Sequence, residues 1–375
     1  MFNHDHYVPI LKWKRGERTA LEKLPSTSKE NITPLLEIQP VPYDHSNEEF
    51  SKTLDEHLYD IGQQVKASWN ETTPIFVDLD TLYQNGEFET ETLQNGQHPI
   101  EFVIEQIELN GIPAIPVTGI NRHDPFHDAI KTVVKKYKRG LCIRLEESDF
   151  SDIDILKSDI DRLLHFIEVD YESVDIILDY KQILPQQEQQ HITNLTLTIV
   201  KFPYLMRWRT FTLASTAYPK NLNNLIPTNS NGALPRTEWK VYKNIRNLGL
   251  ARIPTFSDYN ISHPDFVNLD PRIINMAAGV KYTAGNYYYI FRGIGVKRNG
   301  FSQMVRICNN VINHSSYYGK QFSFGDEYIY NCAHQQCSTG NAERWVTVGV
   351  NHHLSVVSFD VSNLLVASTA GSPQI

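Results

Sequence analysis

The chain has 375 residues, of which 41% are hydrophobic and 21% are charged, and its formal net charge at pH 7 is -8. This length can bury one large core or two smaller ones, and the composition is that of a soluble globular protein. The negative charge argues against broad nucleic-acid binding, because that function needs a basic face.

Secreted, membrane and disulfide-rich proteins are also disfavoured. The first residues, Met1 to Tyr7, lack the apolar core of a secretory signal. No stretch approaches the roughly 18 consecutive apolar residues of a membrane span. Four cysteines do not make a disulfide framework in a chain of this length. We therefore expect a cytoplasmic protein without a membrane partner.

Eight short apolar runs with the composition of strands recur along the first 259 residues. In the third run, Asp78 and Asp80 share one face, because successive strand side chains alternate between faces. Runs of this kind, each ending in polar or charged residues, are typical of buried parallel strands. They lie at 7–14, 32–39, 74–80, 113–119, 141–146, 174–181, 208–218 and 251–259.

Segments with helical spacing separate these runs. Ile100, Val103, Ile104 and Ile107, for example, follow the i, i+3, i+4, i+7 pattern of an amphipathic helix. The predicted helices cover 15–24, 47–69, 99–109, 128–139, 156–167, 186–204 and 238–248. Eight such units predict an α/β fold, a closed (β/α)8 TIM-type barrel over residues 1–259. An open doubly wound sheet would need a glycine-rich phosphate turn after an early strand, and none is found.

Residues 260–375 do not continue this rhythm. Residues 287–293 read as a strand, and residues 301–314 and 326–332 read as helices. We expect 260–340 to form an α+β insertion or appendage beside the barrel mouth. A helical stripe over 341–361 predicts the final barrel helix, and the last residues, 368–375, should be a frayed tail.

Charged side chains collect on one alternating face of the runs, late in each strand. In a barrel this face turns inward and reaches the mouth, where active sites are built. The residues assigned to it are Lys12, Lys14, Glu37, Asp78, Asp80, Arg144, Glu146, Asp179, Lys181 and Asp258. A buried structural network of ion pairs is the alternative interpretation, because buried charge is costly unless it is paired.

Within this set we assign candidate roles by chemistry. Facing carboxylates acquire separated pKa values, so Asp78 and Asp179, with Glu37, are the candidate catalytic acids and bases. The candidate ligand-binding residues are Lys12, Arg144, Lys181, Ser215, Asp258 and Arg292. Lys12 and Arg144 would bind a phosphate or carboxylate. Ser215 closes the seventh run, where barrels often bind phosphate, and Arg292 would reach over the mouth from the insertion.

No resident metal is assigned. The eight runs carry no inward histidine, although a Mg²⁺ site of carboxylates alone stays possible. Cys332, His334 and Cys337 are spaced too loosely for a usual zinc site, so zinc is disfavoured. His352 and His353 lie on a predicted helix, and at most one of the pair faces the barrel. We expect that residue to pack or cap rather than catalyse.

Four segments together resemble the beta-protein family, which is named after a T-even phage product and is found in bacteria and prophages. They are Tyr7–Glu17 (YVPILKWKRGE), Thr33–Glu37 (TPLLE), Phe256–Tyr259 (FSDY) and Gly349–Leu354 (GVNHHL). The resemblance spans nearly the whole chain and implies a mobile-element or phage-defence setting. It brings no catalytic mechanism with it.

Two classes of function stay open. In the first, the charged mouth binds an anionic small molecule, nucleotides included, or carries out acid/base chemistry on it. In the second, the barrel is a non-catalytic scaffold, and residues 260–340 recognise a phage or host protein.

Overall fold

A computed structural model describes residues 2–86, 88, 92–266 and 275–369 of the chain. Most of the predicted frayed tail, 368–375, lies outside these ranges. None of the helices that are described is long and apolar enough to cross a membrane.

Eight parallel strands close into a barrel, in which each strand pairs with its neighbours in chain order and the last pairs with the first. The strands are Tyr7–Lys12, Leu35–Glu37, Ile75–Asp78, Ala114–Thr118, Leu141–Glu146, Val174–Gln182, Thr210–Thr216 and Thr255–Asp258. Each lies within one of the predicted runs, apart from Gln182, which extends the sixth by one residue, and the predicted runs are longer by up to four residues at an end. The predicted (β/α)8 fold is confirmed.

Helices cover the outside of the barrel. They are Arg15–Glu22, Ser26–Lys29, Leu54–Leu58, Ile61–Ser68, Pro99–Leu109, Asp124–Tyr137, Ile153–Ile167, Glu188–Lys201 and Thr237–Arg246, with 3-10 turns at Asp80–Gly86, Tyr171–Ser173 and Pro185–Gln187.

The single helix predicted over 47–69 is wrong. A short hairpin of two-residue strands, Tyr43–Asp44 paired with Glu49–Phe50, replaces the first part of this predicted helix. The helix Leu54–Leu58 then begins at a capping box, in which the Thr53 and Glu56 side chains each accept a hydrogen bond from the other's backbone N–H.

Alternate strand positions face the barrel interior. An inner core contains Val8, Ile10, Leu35, Phe76, Ile115, Val117, Cys142, Ile177, Ala214 and Tyr259. The opposite positions pack in a larger core between the strands and the helices. Since side chains repeat every second residue along a strand, polar residues that continue the inward rows reach the carboxyl-terminal mouth.

A C-terminal subdomain sits on the barrel. Its antiparallel sheet has the order Asn231–Pro235, Tyr287–Gly295, Ala277–Ala284, and its helices are Val296–Asn299, Met304–Ile312 and Phe324–Ala333. It has a small core of its own. The strand Asn231–Pro235 comes from the segment after the seventh barrel strand, so the barrel chain contributes directly to this sheet.

The C-terminal helix Ala342–Thr369 returns to the barrel. The Thr347 hydroxyl donates to the carbonyl of Gly16 at 3.0 Å, and the Asn351 side-chain amide donates to the carbonyl of Ala20 at 3.0 Å. These contacts lay the helix against the one that follows the first strand. That location, between the last strand and the first, is where a (β/α)8 barrel places its eighth helix.

His353 joins this helix to the barrel and to the subdomain. Its Nε2 lies 2.9 Å from the Asp258 carboxylate and its Nδ1 lies 2.8 Å from the Thr283 hydroxyl. Burial lowers the pKa of His353, against the opposing effect of Asp258. The neutral ring therefore donates from Nε2 and accepts at Nδ1.

We expect the free energy of unfolding to fall as the pH drops below about 6.5, the ordinary pKa of histidine. His353 stays neutral in the folded protein, whereas the unfolded chain takes up the proton. His353→Gln keeps an N–H donor for Asp258 but does not titrate, so its free energy of unfolding should depend less on pH below 6.5 than that of the wild type. Urea unfolding between pH 7 and pH 5 measures the effect. His334→Gln, at an exposed position, is the control, and equal slopes in wild type and His353→Gln would contradict the assignment.

Candidate functional site at the barrel mouth

Arg144 is the centre of the polar layer inside the mouth. Its Nε and Nη2 donate to Asp179 at 2.9 and 2.7 Å, and its Nη1 donates to Glu37 at 2.9 Å and to Asp78 at 2.8 Å. Nη2 also reaches the Tyr259 hydroxyl at 2.6 Å. These contacts occupy the five N–H donors of a guanidinium. Arg144 therefore has no donor left for an external anion.

The structure brings the three candidate catalytic acids together around this arginine. Strand register places Glu37 level with both Lys12 and Asp78. Burial raises the pKa of Glu37, and Asp78 adds to the increase, while Arg144 opposes it. The Glu37 Oε2 atom has no hydrogen-bond partner within the described residues. Glu37 is thus protonated more readily than an ordinary glutamate.

A second arginine closes the other side of the layer. Arg122 lies in the loop after the fourth strand, its Nη2 is 3.5 Å from Asp78, and it also pairs with Asp80. Asp78 therefore lies between two guanidinium groups, and Asp80 is held at the rim with the loop.

Lys181 leaves the inner layer because the backbone turns at its position. Its φ of 50° lies in the left-handed region, and the strand register shifts after Asp179. Its amine pairs with Glu146 at 2.6 Å, with both side chains about two-fifths exposed. Pairs exposed to this degree contribute little to stability.

Three other predicted ligand-binding residues do not join the inner layer. Ser215 shares a strand face with Phe211 and Leu213, which pack on the helices. The predicted inward position of Asp258 is wrong. Asp258 faces outward, since Phe256 on the same strand face packs on the helices and Tyr259 takes the inward position. Asp258 accepts from the Tyr7 hydroxyl at 2.5 Å, besides its bond to His353.

Arg292 binds the segment after the seventh strand. Its Nη1 donates to the carbonyls of Leu222, at 3.3 Å, and Ile226, and its Nη2 donates to Asn223 Oδ1 at 2.7 Å. The side chain thus fixes this loop against the subdomain sheet.

A cavity of about 470 Å³, here called the mouth pocket, opens above the inner layer. It lies among the segments that follow the first, seventh and eighth strands, with the subdomain and the C-terminal helix as its outer wall. Its charged wall residues are Lys12, Lys14, Arg15, Lys220, Lys281, Glu17, Asp265 and Glu343. Among the described residues, five cations against three acids give this wall a positive balance in a chain of net charge -8.

Glu17 and Lys281 are two titratable groups of this pocket, of which Glu17 is buried and Lys281 is partly buried. The Glu17 side chain is 4% exposed and its Oε2 has no partner within the described residues. Burial raises the pKa of Glu17 to about 8, and Lys14, Lys12 and Lys281 oppose the increase. Burial lowers the pKa of Lys281 to about 8. Both groups therefore change charge in the same pH range.

Lys12 connects the pocket to the inner layer. Its amine donates to the carbonyl of Asp265 at 2.6 Å. Burial lowers its pKa, and the charges of Glu37 below and Glu17 above oppose that change. Of the predicted ligand-binding residues, Lys12 is the one that lines the mouth pocket.

Within the described ranges, no group of three or more histidine, cysteine, aspartate or glutamate residues is arranged to hold a metal ion. His334 stacks on Tyr330 and contacts its carbonyl at 2.8 Å. That a carboxylate Mg²⁺ site is possible and that zinc is disfavoured both stay predictions.

Sequence reasoning missed Glu17, Arg122, Tyr259 and Lys281. Glu17 looked like an acid in the first turn of a helix, a position that the helix dipole favours. Arg122 is in a loop, where no periodicity marks it. Tyr259 follows its strand directly, and its inward position was assigned to Asp258. Lys281 belongs to a strand, Ala277–Ala284, that was not predicted.

Arg144→Met should lower the free energy of unfolding by about 3–5 kcal/mol, because three buried carboxylates lose the cation that they share, and only Asp78 keeps a second one, Arg122. Lys181→Met removes an exposed pair and should cost less than about 1 kcal/mol. Urea denaturation at pH 7 compares the two. If both variants lose the same small amount, Arg144 does not hold the layer together.

The profile of the Beta protein family matches residues 7–359, nearly the whole chain. No curated protein matches the sequence. The match includes the strands that carry Lys12, Glu37, Asp78, Arg144 and Asp179, as well as most of the C-terminal helix. The chain therefore belongs to the Beta protein family.

Proposed function

We propose that the protein binds an anionic small molecule in the mouth pocket. The observation that carries the proposal is the position of this cavity, at the carboxyl ends of the barrel strands, where (β/α)8 proteins build their sites. Its volume of about 470 Å³ falls in the roughly 300–1,000 Å³ range of small-molecule sites.

The cations of the pocket differ in how firmly they are already paired. Lys220 pairs with Asp265 at 2.9 Å, and Arg15 pairs with Glu343 at 3.3 Å. The Lys281 amine donates to the carbonyl of Ile261 at 3.1 Å and lies 4.6 Å from the Tyr218 ring centroid. Lys281 therefore has charge and donors to offer to a bound phosphate, sulfate or carboxylate.

Glu17 gives the pocket a proton that is exchangeable near neutral pH. With a pKa of about 8, the acid is mostly protonated at pH 7 and can donate a hydrogen bond to the anion. When it ionises, it repels the anion. Acid/base chemistry on the ligand would use this group, because a pKa near the working pH favours proton transfer.

The setting that we propose is phage defence or a mobile element, and it rests on membership of the family. Expressed in a bacterial host, the wild-type protein should reduce the plating of a sensitive phage at least tenfold, and Lys281→Met should abolish the reduction. Lys201→Met, on an exposed helix end, should leave protection intact. If Lys281→Met protects fully at an equal protein level, phage defence does not depend on the mouth pocket.

Sulfate is a suitable probe of the pocket, because its charge is constant across the pH range. Its affinity should fall about tenfold or more between pH 7 and pH 9. Over this range Lys281 loses its positive charge and Glu17 gains a negative one, and a loss of about 1.4 kcal/mol is tenfold in affinity. Isothermal titration calorimetry, with the ionic strength held by sodium chloride, measures this.

Two variants separate the contributions of Glu17 and Lys281 to the pH dependence of sulfate binding. Glu17→Gln should bind sulfate as wild type does at pH 7 and lose less affinity at pH 9. Lys281→Met should bind weakly at both values, whereas the Lys201→Met control should follow wild type. The proposal fails if sulfate does not bind at pH 7, or if Lys281→Met binds it like wild type.

A further inference from the structure

A second cavity, of about 440 Å³, lies beside the mouth pocket and shares Lys14 and Arg15 with it. The segments that follow the first and second barrel strands form two of its sides, and the helices Leu54–Leu58 and Ile61–Ser68 contribute to a third. We call it the side pocket. Its volume is again that of a small-molecule site.

Two buried polar side chains of the side pocket have atoms without a partner. Trp13 is 6% exposed and Gln39 is 7% exposed. Within the described part of the chain, neither the Trp13 Nε1–H nor the Gln39 Oε1 makes a hydrogen bond. The Gln39 amide nitrogen donates to the carbonyl of Glu37 at 3.1 Å, which fixes the side chain. Buried polar atoms are rarely left unpaired, so these two suit a ligand.

His57 adds a third group of this kind. Its Nε2 lies 2.8 Å from the carbonyl of Gln39, which can only accept, so Nε2 carries the hydrogen. Burial lowers the pKa of His57, and the neutral ring then leaves Nδ1 as an acceptor. That atom also has no partner among the described residues. The wall therefore offers one donor and two acceptors.

The rest of the wall is basic and aromatic. Lys14, Arg15, Arg18 and Lys52 line it, and none of its described wall residues is an aspartate or glutamate. The rings of Trp13, Tyr43 and Phe266 also contribute, and the Lys14 amine lies 5.3 Å from the Phe266 centroid. Aromatic faces stack on planar rings, and lysine and arginine side chains bind phosphate. Of the four basic residues, Arg15 also pairs with Glu343.

We infer that the side pocket binds a nucleotide. A nucleobase is a planar ring whose edge has both acceptors and N–H donors, which complement Trp13, Gln39 and His57. The phosphates would meet the basic residues. An inorganic polyanion would satisfy the cations but leave Trp13 and Gln39 unpaired, and an uncharged ring would leave the cations unused. This inference does not depend on the function proposed for the mouth pocket.

Trp13→Phe tests recognition of the base. It keeps a ring and removes the N–H, and because that N–H has no partner within the described protein, the variant should fold, with any loss of melting temperature coming from the smaller ring and not from a broken hydrogen bond. Isothermal titration calorimetry with ATP, GTP, CTP and UTP should show that at least one binds wild type ten or more times more tightly than inorganic tripolyphosphate. Trp13→Phe should weaken that nucleotide at least fivefold.

Lys52→Met tests the phosphate contacts. It should weaken the preferred nucleotide at least fivefold and leave binding of the matching nucleoside unchanged, whereas Trp13→Phe should weaken both. Trp208→Phe is the matched control, since that indole already donates to the carbonyl of Pro203 at 2.9 Å, outside the pocket. The inference is overturned if no nucleotide binds more tightly than tripolyphosphate, or if Trp13→Phe binds like wild type.

Discussion

The guanidinium of Arg144 is the cation that three carboxylates buried inside the barrel have in common. Glu37, Asp78 and Asp179 come from three different strands, and each would repel the other two in a space from which water is excluded. Uncompensated charge there would cost several kcal/mol for each ion. The arginine compensates the carboxylates in part, and its donors fix their orientation. The geometry of the mouth depends on this contact, since the strand ends that carry the acids also begin the loops above.

The same contact restricts where a ligand can bind. Because its donors are used inside the protein, Arg144 closes the inner end of the mouth. The space for a ligand is the mouth pocket, further out and to one side, where Lys12 links the inner layer to Glu17 and Lys281. The subdomain supplies Lys281, so the mouth pocket is complete only when the subdomain is docked. Asp258 and His353 fasten that docking on the outward face of the barrel.

Much of the fold was predictable because buried parallel strands and amphipathic helices leave strong periodic signals. The inward positions of Glu37, Asp78, Arg144 and Asp179 followed from the same alternation. The alternation predicted the wrong inward residue at the end of the eighth strand. Asp258 and Tyr259 are both polar and both buried, so the pattern does not say which one faces inward. Lys281 was not placed, although its strand forms a hairpin with Tyr287–Gly295 across the two-residue turn Gly285–Asn286, because that turn signal was overlooked. The roles given to the 260–340 region and to a protein partner stay predictions.

The sequence left two interpretations of the charged mouth open, an ion-pair network and a functional site. In the structure the first describes the inner layer around Arg144, and the second is proposed for the mouth pocket above it. At the level of Arg144 each acid is held by the arginine, and a substitution there would disturb folding before it disturbed chemistry. Loss of activity in an Asp78 or Asp179 variant would therefore not identify a catalytic residue. Glu17 and Lys281 are more informative, because Glu17 has an unpartnered oxygen within the described residues, and both have pKa values near 8. Since Glu17→Gln preserves the size of the side chain and removes only the titration, its effect on ligand binding at pH 9 reports on the site rather than on the fold.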